Sequence, residues 1–537
     1  MKTATVLVAD DSRLICTSLA NQLRAAGFHK DNIALSYKST DVLNKCRHTH
    51  YDLIICDYNF NGYLNGYQLL EELRHHQYLQ PKTLFVFLTG ENDQKVVRTI
   101  IDTQPDDYIL KPFNKPFLLK RIKSGIQRKR QLLPLYQALE RRDYQTAIDE
   151  CDHLIESFPQ YKAIILKIKA ESLNHSQQYS AAKQLYLTLL KEDNQDWVKV
   201  ALANTLVKNN EVDQAKGLLN TLKNKKSNPY YFDEMSNISL VDDDVPAAIS
   251  HLKRSTMLLE AGADRELIIA NLSMAVSAYK DAFLFMGRYY DNNKNTYRGN
   301  IDTRINYLRY FLFQFFDKHN QSTFEHQLIS MMPILKELNQ RKDLNLQNAL
   351  VSAHIHLLRG EIHQAITRLA SVFPRLDTLG FYDLYHLLAL LERCSMLKEI
   401  KIVNQRCRDK IKAERNLSLY RTQVYMLSNF ESALEQKQQT VTNIKYHIEQ
   451  LKQFGSARLN DIIDFYMQLH EIMPYSRKLC LAITKLMAFN TIAYRGRHDL
   501  QLKLSECHQT LSRLLSADEQ TTLNYQQMYQ KAQRNLG

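Results

Sequence analysis

The sequence predicts a doubly wound α/β domain with a five-stranded parallel sheet over residues 1–126, followed by a large all-α helical repeat array. Three observations carry this prediction. Short β-branched apolar runs alternate with helix-length segments over the first 125 residues and then stop. Beyond them, small residues recur at intervals close to 34. Gly 14 and Pro 11 in 537 residues supply too few turns for a β-sandwich or barrel, so long helices with short connections are the default.

The elements follow in order. Thr5–Ala9 is an apolar run ending at Asp10-Asp11, and Leu14, Ile15, Leu19 and Leu23 then recur at helical spacing until Gly27. Ile33–Tyr37 is a weaker second strand. Asp52–Cys56 is a third, ending at Asp57. Thr83–Leu88 is a fourth, ending at Thr89-Gly90. Asp107–Leu110 is a fifth, ending at Lys111-Pro112-Phe113. Continuously apolar strands separated by helices imply a parallel sheet covered on both faces.

The polar residues cluster at the carboxyl ends of these strands, the edge where open α/β sheets bind ligands. Three carboxylates there, Asp10, Asp11 and Asp57, repel one another unless a cation sits among them, and hard oxygen ligands favour Mg²⁺. Lys111 and Thr89 facing them complete a site for a phosphoryl group, which the cation and lysine neutralise and the hydroxyl hydrogen-bonds. A carboxylate can itself be the nucleophile, giving an aspartyl-phosphate.

With the acidic pair, the lone Asp57, Thr89, Tyr108 and Lys111-Pro112-Phe113 in order, the segment resembles a CheY-like response-regulator receiver domain. The resemblance implies Asp57 as phosphoacceptor, with Thr89 and Lys111 as its catalytic partners. It implies Mg²⁺ held by Asp11, Asp57 and the backbone carbonyl of Asn59, with Asp10 acting mainly through metal-bound water. It implies Thr89 and Tyr108 as a switch pair, and a cis Lys111–Pro112 bond that points the lysine into the site. The receiver itself is then no enzyme, since it promotes only its own phosphorylation and dephosphorylation. Asp57-Tyr58-Asn59-Phe60 lacks the proline usual in the family, and Gly66 falls nine residues after Asp57 where eight is usual, which leaves the loop path open. Asn59 and Glu91, two residues after Asp57 and Thr89, match the chemotaxis receivers and imply a short-lived phosphoryl group.

Beyond Leu132 the key alanines Ala147, Ala182, Ala215 and Ala248 lie 35, 33 and 33 residues apart. Ala170, Ala203 and Ser236 stand twelve residues before the next key alanine, so small residues meet where paired helices cross. This pattern resembles tetratricopeptide (TPR) repeats. The expected organisation is a receiver at 1–126, about four TPR-like repeats at 127–262, a helical region with a further TPR-like repeat (Ala353, Ala365) at 263–380, and degenerate helical repeats with a polar cap at 381–537. Arg288–Asn300 shows little helix signal and is expected to be a loop or hinge. The helix after Pro116 runs toward Pro134, so receiver and array are expected to touch. Trp197 opens a repeat and is expected to pack. His354, His356 and His363 read as surface or groove histidines, because residues two apart on a helix face different ways.

The net charge of +13 arises from 70 basic and 57 acidic residues spread along the chain, densest at Lys120, Arg121, Lys123, Arg128, Lys129 and Arg130. No helix-turn-helix pattern follows the receiver, which disfavours nucleic acid, although a nucleic-acid-binding transcriptional regulator using that basic surface is the alternative reading. No apolar run reaches membrane-span length. The eight cysteines show no CxxC pair or disulfide-type spacing, as expected for a reducing cytoplasm. The combination resembles the VieB-type receiver–TPR regulators. That resemblance implies a two-component response regulator phosphorylated by a partner histidine kinase. Its array would hold a second signalling protein or peptide in its groove, with no membrane insertion and no DNA-binding output. Receivers and TPR arrays both form homodimers in places, so a homodimer remains open.

Overall fold

The structure, a computed structural model, describes residues 3–536 apart from 61, 91, 193, 262, 317–320, 415, 491–493 and 495–496. The chain divides into two compact units, Met1–Ile269 with Arg288–Asn300, and Ala270–Gly287 with Ile301–Gly537.

The first unit opens with strands β1 (Val6–Ala9), β2 (Ile33–Ser36), β3 (Leu53–Asp57), β4 (Leu84–Thr89) and β5 (Asp107–Leu110). Between and after them run α1 (Arg13–Ala25), α2 (Ser39–His48), α3 (Gly66–His75), α4 (Gln94–Asp102) and α5 (Lys115–Gln131). The sheet order is β2-β1-β3-β4-β5 with every neighbouring pair parallel, the five-stranded receiver topology that the sequence predicts. Alternation along the strands builds two cores. Val6, Val8, Leu53, Ile55, Val86 and Leu88 pack with Leu19 and Leu23 of α1 and Leu118 and Ile122 of α5. Leu7, Ile54, Cys56, Phe85 and Phe87 pack with Val42 of α2, Leu69 and Leu73 of α3 and Ile100 of α4. Side-chain caps fix where helices begin: Ser12 on Ile15 N, Asn114 on Phe117 N, and a reciprocal Asn65–Gln68 capping box at α3.

Gly66 settles the path of the loop after Asp57. Its amide donates to the Tyr58 carbonyl at 2.7 Å. A Cβ there would lie 2.8 Å from the Tyr58 Cα and 2.8 Å from a ring carbon of Phe87, so only glycine lets α3 start this close to the strand end. The interval of nine residues thus places Gly66 beside the backbone of Asp57 and Tyr58.

Helices continue the unit as α6 (Leu133–Glu140), α7 (Tyr144–Ser157), α8 (Lys162–His175), α9 (Tyr179–Glu192), α10 (Asp196–Lys208), α11 (Val212–Asn220), α12 (Pro229–Val241) and α13 (Val245–Met257). Only Leu132 separates α5 from α6. The bend there is pinned from α5, where Lys129 pairs with Asp106 at 2.7 Å and lies 4.3 Å from the Tyr136 ring centroid. The turn within each helix pair is the same device. Arg142, Gln177, Asn210 and Asp243 adopt φ of +58°, +60°, +62° and +59°, each five residues before a key alanine. The amide after each of them bonds back to the carbonyl five residues earlier, as in Asp143 N to Ala138 O at 3.0 Å and Glu211 N to Leu206 O at 2.8 Å. This is a Schellman closure built on non-glycine residues. The alanines Ala147, Ala182, Ala215 and Ala248, with Ala170 and Ala203 opposite, are fully buried. A leucine at Ala182 would overpack the crossing at a cost of about 1–3 kcal/mol.

The same turn recurs at Ser277 (φ +57°), Gly360 (φ +72°) and Ser395 (φ +58°) in the second unit, ahead of buried Ala282, Ala365 and Ile400. The pair ending in α14 (Ala263–Ala275) and α15 (Tyr279–Asn293) therefore continues the series, although its sequence does not stand out. This corrects the expected loop at Arg288–Asn300: its first six residues complete α15, and only the remainder is turn. Beyond residue 380 the chain stays helical, with helices Phe381–Arg393, Leu397–Lys412, Leu417–Lys452, Leu459–Ile472 and Arg477–Phe489. The polar C-terminal cap also needs correction, since Leu504, Cys507, Leu511, Tyr525 and Leu536 are buried in a core with Ile463, Cys480 and Ile483. His354 is neither at the surface nor in a groove: it is fully buried, with Nδ1 2.8 Å from Nε2 of His386. Among the described residues no helix is long and apolar enough to cross a membrane.

Candidate functional site

The candidate site lies along the carboxyl edge of the sheet, on both sides of the point where chain connections diverge from β1 and β3. Asp57 is the last residue of β3 and Thr89 the last of β4, each one residue inside the strand it was expected to follow. Asp10 follows β1, and Lys111 follows β5. Backbone bonds extend the ladders past the strand ends: Asp10 N to Ser36 O at 3.1 Å, Tyr58 N to Leu88 O at 3.1 Å, and Lys111 N to Thr89 O at 2.7 Å. The site residues therefore hang from a rigid hydrogen-bonded frame.

The side chains converge on the lysine. Lys111 Nζ donates to Asp57 Oδ1 at 2.7 Å and to Asp10 Oδ2 at 2.9 Å. The second oxygen of each carboxylate is held by backbone, Asp57 Oδ2 by the Asn59 amide at 3.1 Å and Asp10 Oδ1 by the Ser12 amide at 2.9 Å. The Lys111–Pro112 bond is cis. Burial pushes the Asp57 carboxyl up, and the hydrogen bond and charge of Lys111 only partly offset this. Burial opposes the charge on Lys111, but its bonds to Asp57 and Asp10 win and raise its pKa. Asp11 is half-buried beside Asp10, Thr89 is buried, and Tyr108 is half-buried against the core under α2–α4. The structure thus brings Asp10, Asp57, Lys111 and the Asn59 backbone together directly. Glu91 lies outside the described residues.

The donor set of carboxylates and backbone at one strand edge fits a hard divalent cation, and Asp10, Asp11 and Asp57 with the Asn59 backbone are the residues that would hold Mg²⁺.

A second feature of the first unit starts one residue from Asp57. The Tyr58 ring packs edge-on to Phe87, and its hydroxyl donates to Glu260 Oε2 at 2.8 Å. The Glu260 amide donates to Thr99 Oγ1 on α4 at 2.9 Å. Arg265 bridges Asp102 at the end of α4 and Asp233 on α12, at 2.8 Å to each. Burial opposes the charge on Arg265, but the two carboxylates overcome it and hold the guanidinium protonated. On α3, Gln68 donates to the Asn292 carbonyl at 2.7 Å, Glu71 pairs with Arg298 at 2.9 Å, and Glu72 accepts from the Tyr297 amide at 2.5 Å. The His75 ring stacks on Tyr297 with centroids 3.6 Å apart. The α3–α4 face is thus docked onto residues 260–265 and 292–298 of the same unit. Sequence reasoning expected contact through α5 and missed this face, because Gln68, Glu71, Thr99 and Asp102 read as ordinary solvated helix positions.

Beside that docking lies a cavity of about 660 Å³ lined by Arg98 and Ile101 of α4 and by Lys167, Trp197, Tyr230 and Glu234 of α8, α10 and α12. Trp197 is 39 % exposed and lines this groove under the Lys167 ammonium, in place of the packed position expected for it. Glu234 is buried, which pushes its carboxyl up to about 7 despite bonds from Asn237 and Asn204. Half of the basic cluster is paired within the domain: Arg121 with Asp107, Lys129 with Asp106, and Arg128 donates to the Asp106 carbonyl at 3.0 Å.

Residues 6–123 match the family model described as "Response regulator receiver domain". The response regulator ArlR of Staphylococcus aureus is 29% identical over 126 residues, which cover 24% of this chain and 54% of that protein, with the same figures for strains Mu50 and MW2. The chain spans about half the length of the curated relatives it matches. Among solved structures, the chemotaxis response regulator CheY4 of Vibrio cholerae aligns at 24% identity over 23% of this chain and 98% of its own, with a TM-score of 0.21. The chain therefore begins with a CheY-like response-regulator receiver domain, followed by a large helical region.

Proposed function

We propose that this chain is a two-component response regulator in which Asp57 is the phosphoacceptor and the helical repeats are a protein-binding output gated by the receiver. The observation that carries the first half is the Asp57–Lys111–Asp10 arrangement at the sheet edge. An Asp57 oxygen forms the new O–P bond as the N–P bond of a kinase phosphohistidine breaks and its imidazole departs. Lys111, bonded to Asp57 Oδ1, neutralises the charge that builds on the transferring oxygens, and Thr89 donates a hydrogen bond to them. Mg²⁺, when bound by Asp10, Asp11, Asp57 and the Asn59 carbonyl, supplies further charge neutralisation. The receiver promotes only these steps and their reversal by water. The exposed Asn59 beside Asp57 agrees with a short-lived phosphoryl group.

The second half rests on the α3–α4 docking. Drawing Thr89 toward a phosphoryl group moves the end of β4 and the helix that follows it, with Tyr108 filling the space left behind. That helix carries Thr99 and Asp102, the anchors of Glu260 and Arg265, and it also walls the groove that holds Trp197. The TPR-like period, its Schellman turns and this groove support a peptide or helix of a second signalling protein as the ligand. In this reading the protein works in the cytoplasm with a histidine kinase and this second partner, and has no DNA-binding output.

Incubating the full chain with acetyl phosphate and Mg²⁺ tests the chemistry. Intact mass should show one added phosphoryl group in the wild type and none in Asp57→Ala. Equal phosphorylation of Asp57→Ala would overturn the assignment.

A further inference from the structure

The C-terminal core of the second unit holds a cluster that the receiver chemistry does not use. His470, on helix Leu459–Ile472, meets Cys480, on helix Arg477–Phe489, and Cys507, on helix His498–Leu514. One ligand atom from each lies within 4.8 Å of the other two. Both thiols are fully buried and His470 is 2 % exposed, among Ile463, Ile483, Leu504 and Leu511.

Histidine makes this cluster more than core packing. Neither ring nitrogen of His470 has a hydrogen-bond partner. A neutral imidazole carries one donor and one acceptor, and leaving both unmet in an apolar core is costly. Other rings in this unit find a partner for one nitrogen: buried His354 pairs with buried His386, and half-buried His508 reaches the Tyr525 hydroxyl at 2.9 Å. The Glu506 carboxylate lies 3.8 Å from His470 Nδ1, beyond hydrogen-bonding distance.

We infer that Cys480, Cys507 and His470 bind a thiophilic divalent cation, Zn²⁺, that ties the last helices of the chain together. Two thiolates and an imidazole supply three of the four ligands of a tetrahedral zinc centre. Glu506, beside the ring and already bonded to Lys503 at 2.7 Å, is placed to serve as the fourth ligand or as the carboxylate that orients the imidazole. Binding releases the two thiol protons to solvent and changes no oxidation state. The ligands come from three helices at intervals of 10 and 27 residues. No compact CxxC or HxxxH motif announces them, and only the fold brings them together.

The test uses the full chain purified under reducing conditions, loaded with one equivalent of Zn²⁺, dialysed, and measured for metal by mass spectrometry. About one Zn²⁺ per chain should remain in the wild type and in Cys407→Ser, which alters a buried cysteine elsewhere. Cys480→Ser, Cys507→Ser and His470→Gln should each lose at least tenfold in affinity. Co²⁺ loading should give thiolate-to-metal charge-transfer absorption in the wild type that Cys480→Ser weakens and the double cysteine variant abolishes. Should the cluster variants fail to fold, the wild type alone still decides, through its Co²⁺ spectrum and a zinc-dependent rise in melting temperature. The proposal is overturned if the reduced wild type retains no zinc and gives no Co²⁺ charge-transfer band. Metal held equally by folded cluster variants, or a Cys480–Cys507 disulfide in the protein isolated from cells, would overturn it as well.

Discussion

Two faces of the receiver domain use polar side chains in opposite ways. At the sheet edge, Lys111 lies 2.7 Å from Asp57 and 2.9 Å from Asp10, which gathers two carboxylates around one ammonium. On the α3–α4 face, Gln68, Glu71, Glu72, Thr99 and Asp102 are each already matched by a partner from residues 260–265 or 292–298. The edge is poised and the face is satisfied. Tyr58 joins the two, since its backbone continues from Asp57 and its hydroxyl reaches the docked segment. In the proposed mechanism, a charge added at Asp57 stands one residue away from the Tyr58–Glu260 contact.

The largest test of that contrast is Arg265→Ala. It strands two half-buried carboxylates, Asp102 and Asp233, and should cost about 3–5 kcal/mol in urea unfolding. Arg121→Ala, which breaks the more exposed pair with Asp107, should cost about 0–1 kcal/mol. Comparable losses would mean that the docked face is no more buried in effect than an ordinary surface.

Glu234 offers a pH handle on the groove. Its folded pKa is raised to about 7 from an ordinary 4.5, so the folded state favours the neutral acid. That contribution is complete below the unfolded pKa and is lost as pH rises through about 7. Glu234→Gln stays neutral throughout. Relative to the variant, the wild type should therefore lose about 3 kcal/mol of unfolding free energy between pH 4.5 and 8. A constant difference across that range would contradict the buried acid.

The smallest expected effect is that of Tyr58→Phe, which removes one hydrogen bond to an exposed carboxylate and should cost about 0.5–1.5 kcal/mol. Its value lies in coupling. Phosphorylation of this variant should proceed at the wild-type rate, while the response of residues 260–265 and 292–298 to it should shrink.

The sequence made the two faces unequally legible. Asp10, Asp57, Thr89 and Lys111 stand at the ends of apolar strands, and a parallel sheet must gather strand ends on one edge, so their proximity follows from one-dimensional spacing. The repeat alanines were legible for a similar reason, since close helix crossings tolerate little else. Glu71, Asp102, Glu260, Arg265 and Arg298 occupy helix surfaces and turns where charged residues are the default, and their partners across the docked face lie 160 or more residues away. Nothing local distinguishes a docked glutamate from a solvated one. The turn residues Gln177, Asn210, Asp243 and Ser277 were likewise hidden, because a left-handed conformation without glycine leaves no compositional mark. His470, Cys480 and Cys507 had no short-range motif to betray them.

The central claim is that the aspartyl-phosphate is read through the α3–α4 face. Amide hydrogen exchange of the full chain, with and without beryllofluoride and Mg²⁺, tests it most directly. Two amides report the docking itself: Glu260, which donates to Thr99, and Tyr297, which donates to Glu72. Both should exchange at least about tenfold faster in the activated protein, a change of about 1.4 kcal/mol in local protection, and Asp57→Ala should abolish the difference. Identical exchange at both amides in the two states, with the receiver site demonstrably occupied, would contradict the account.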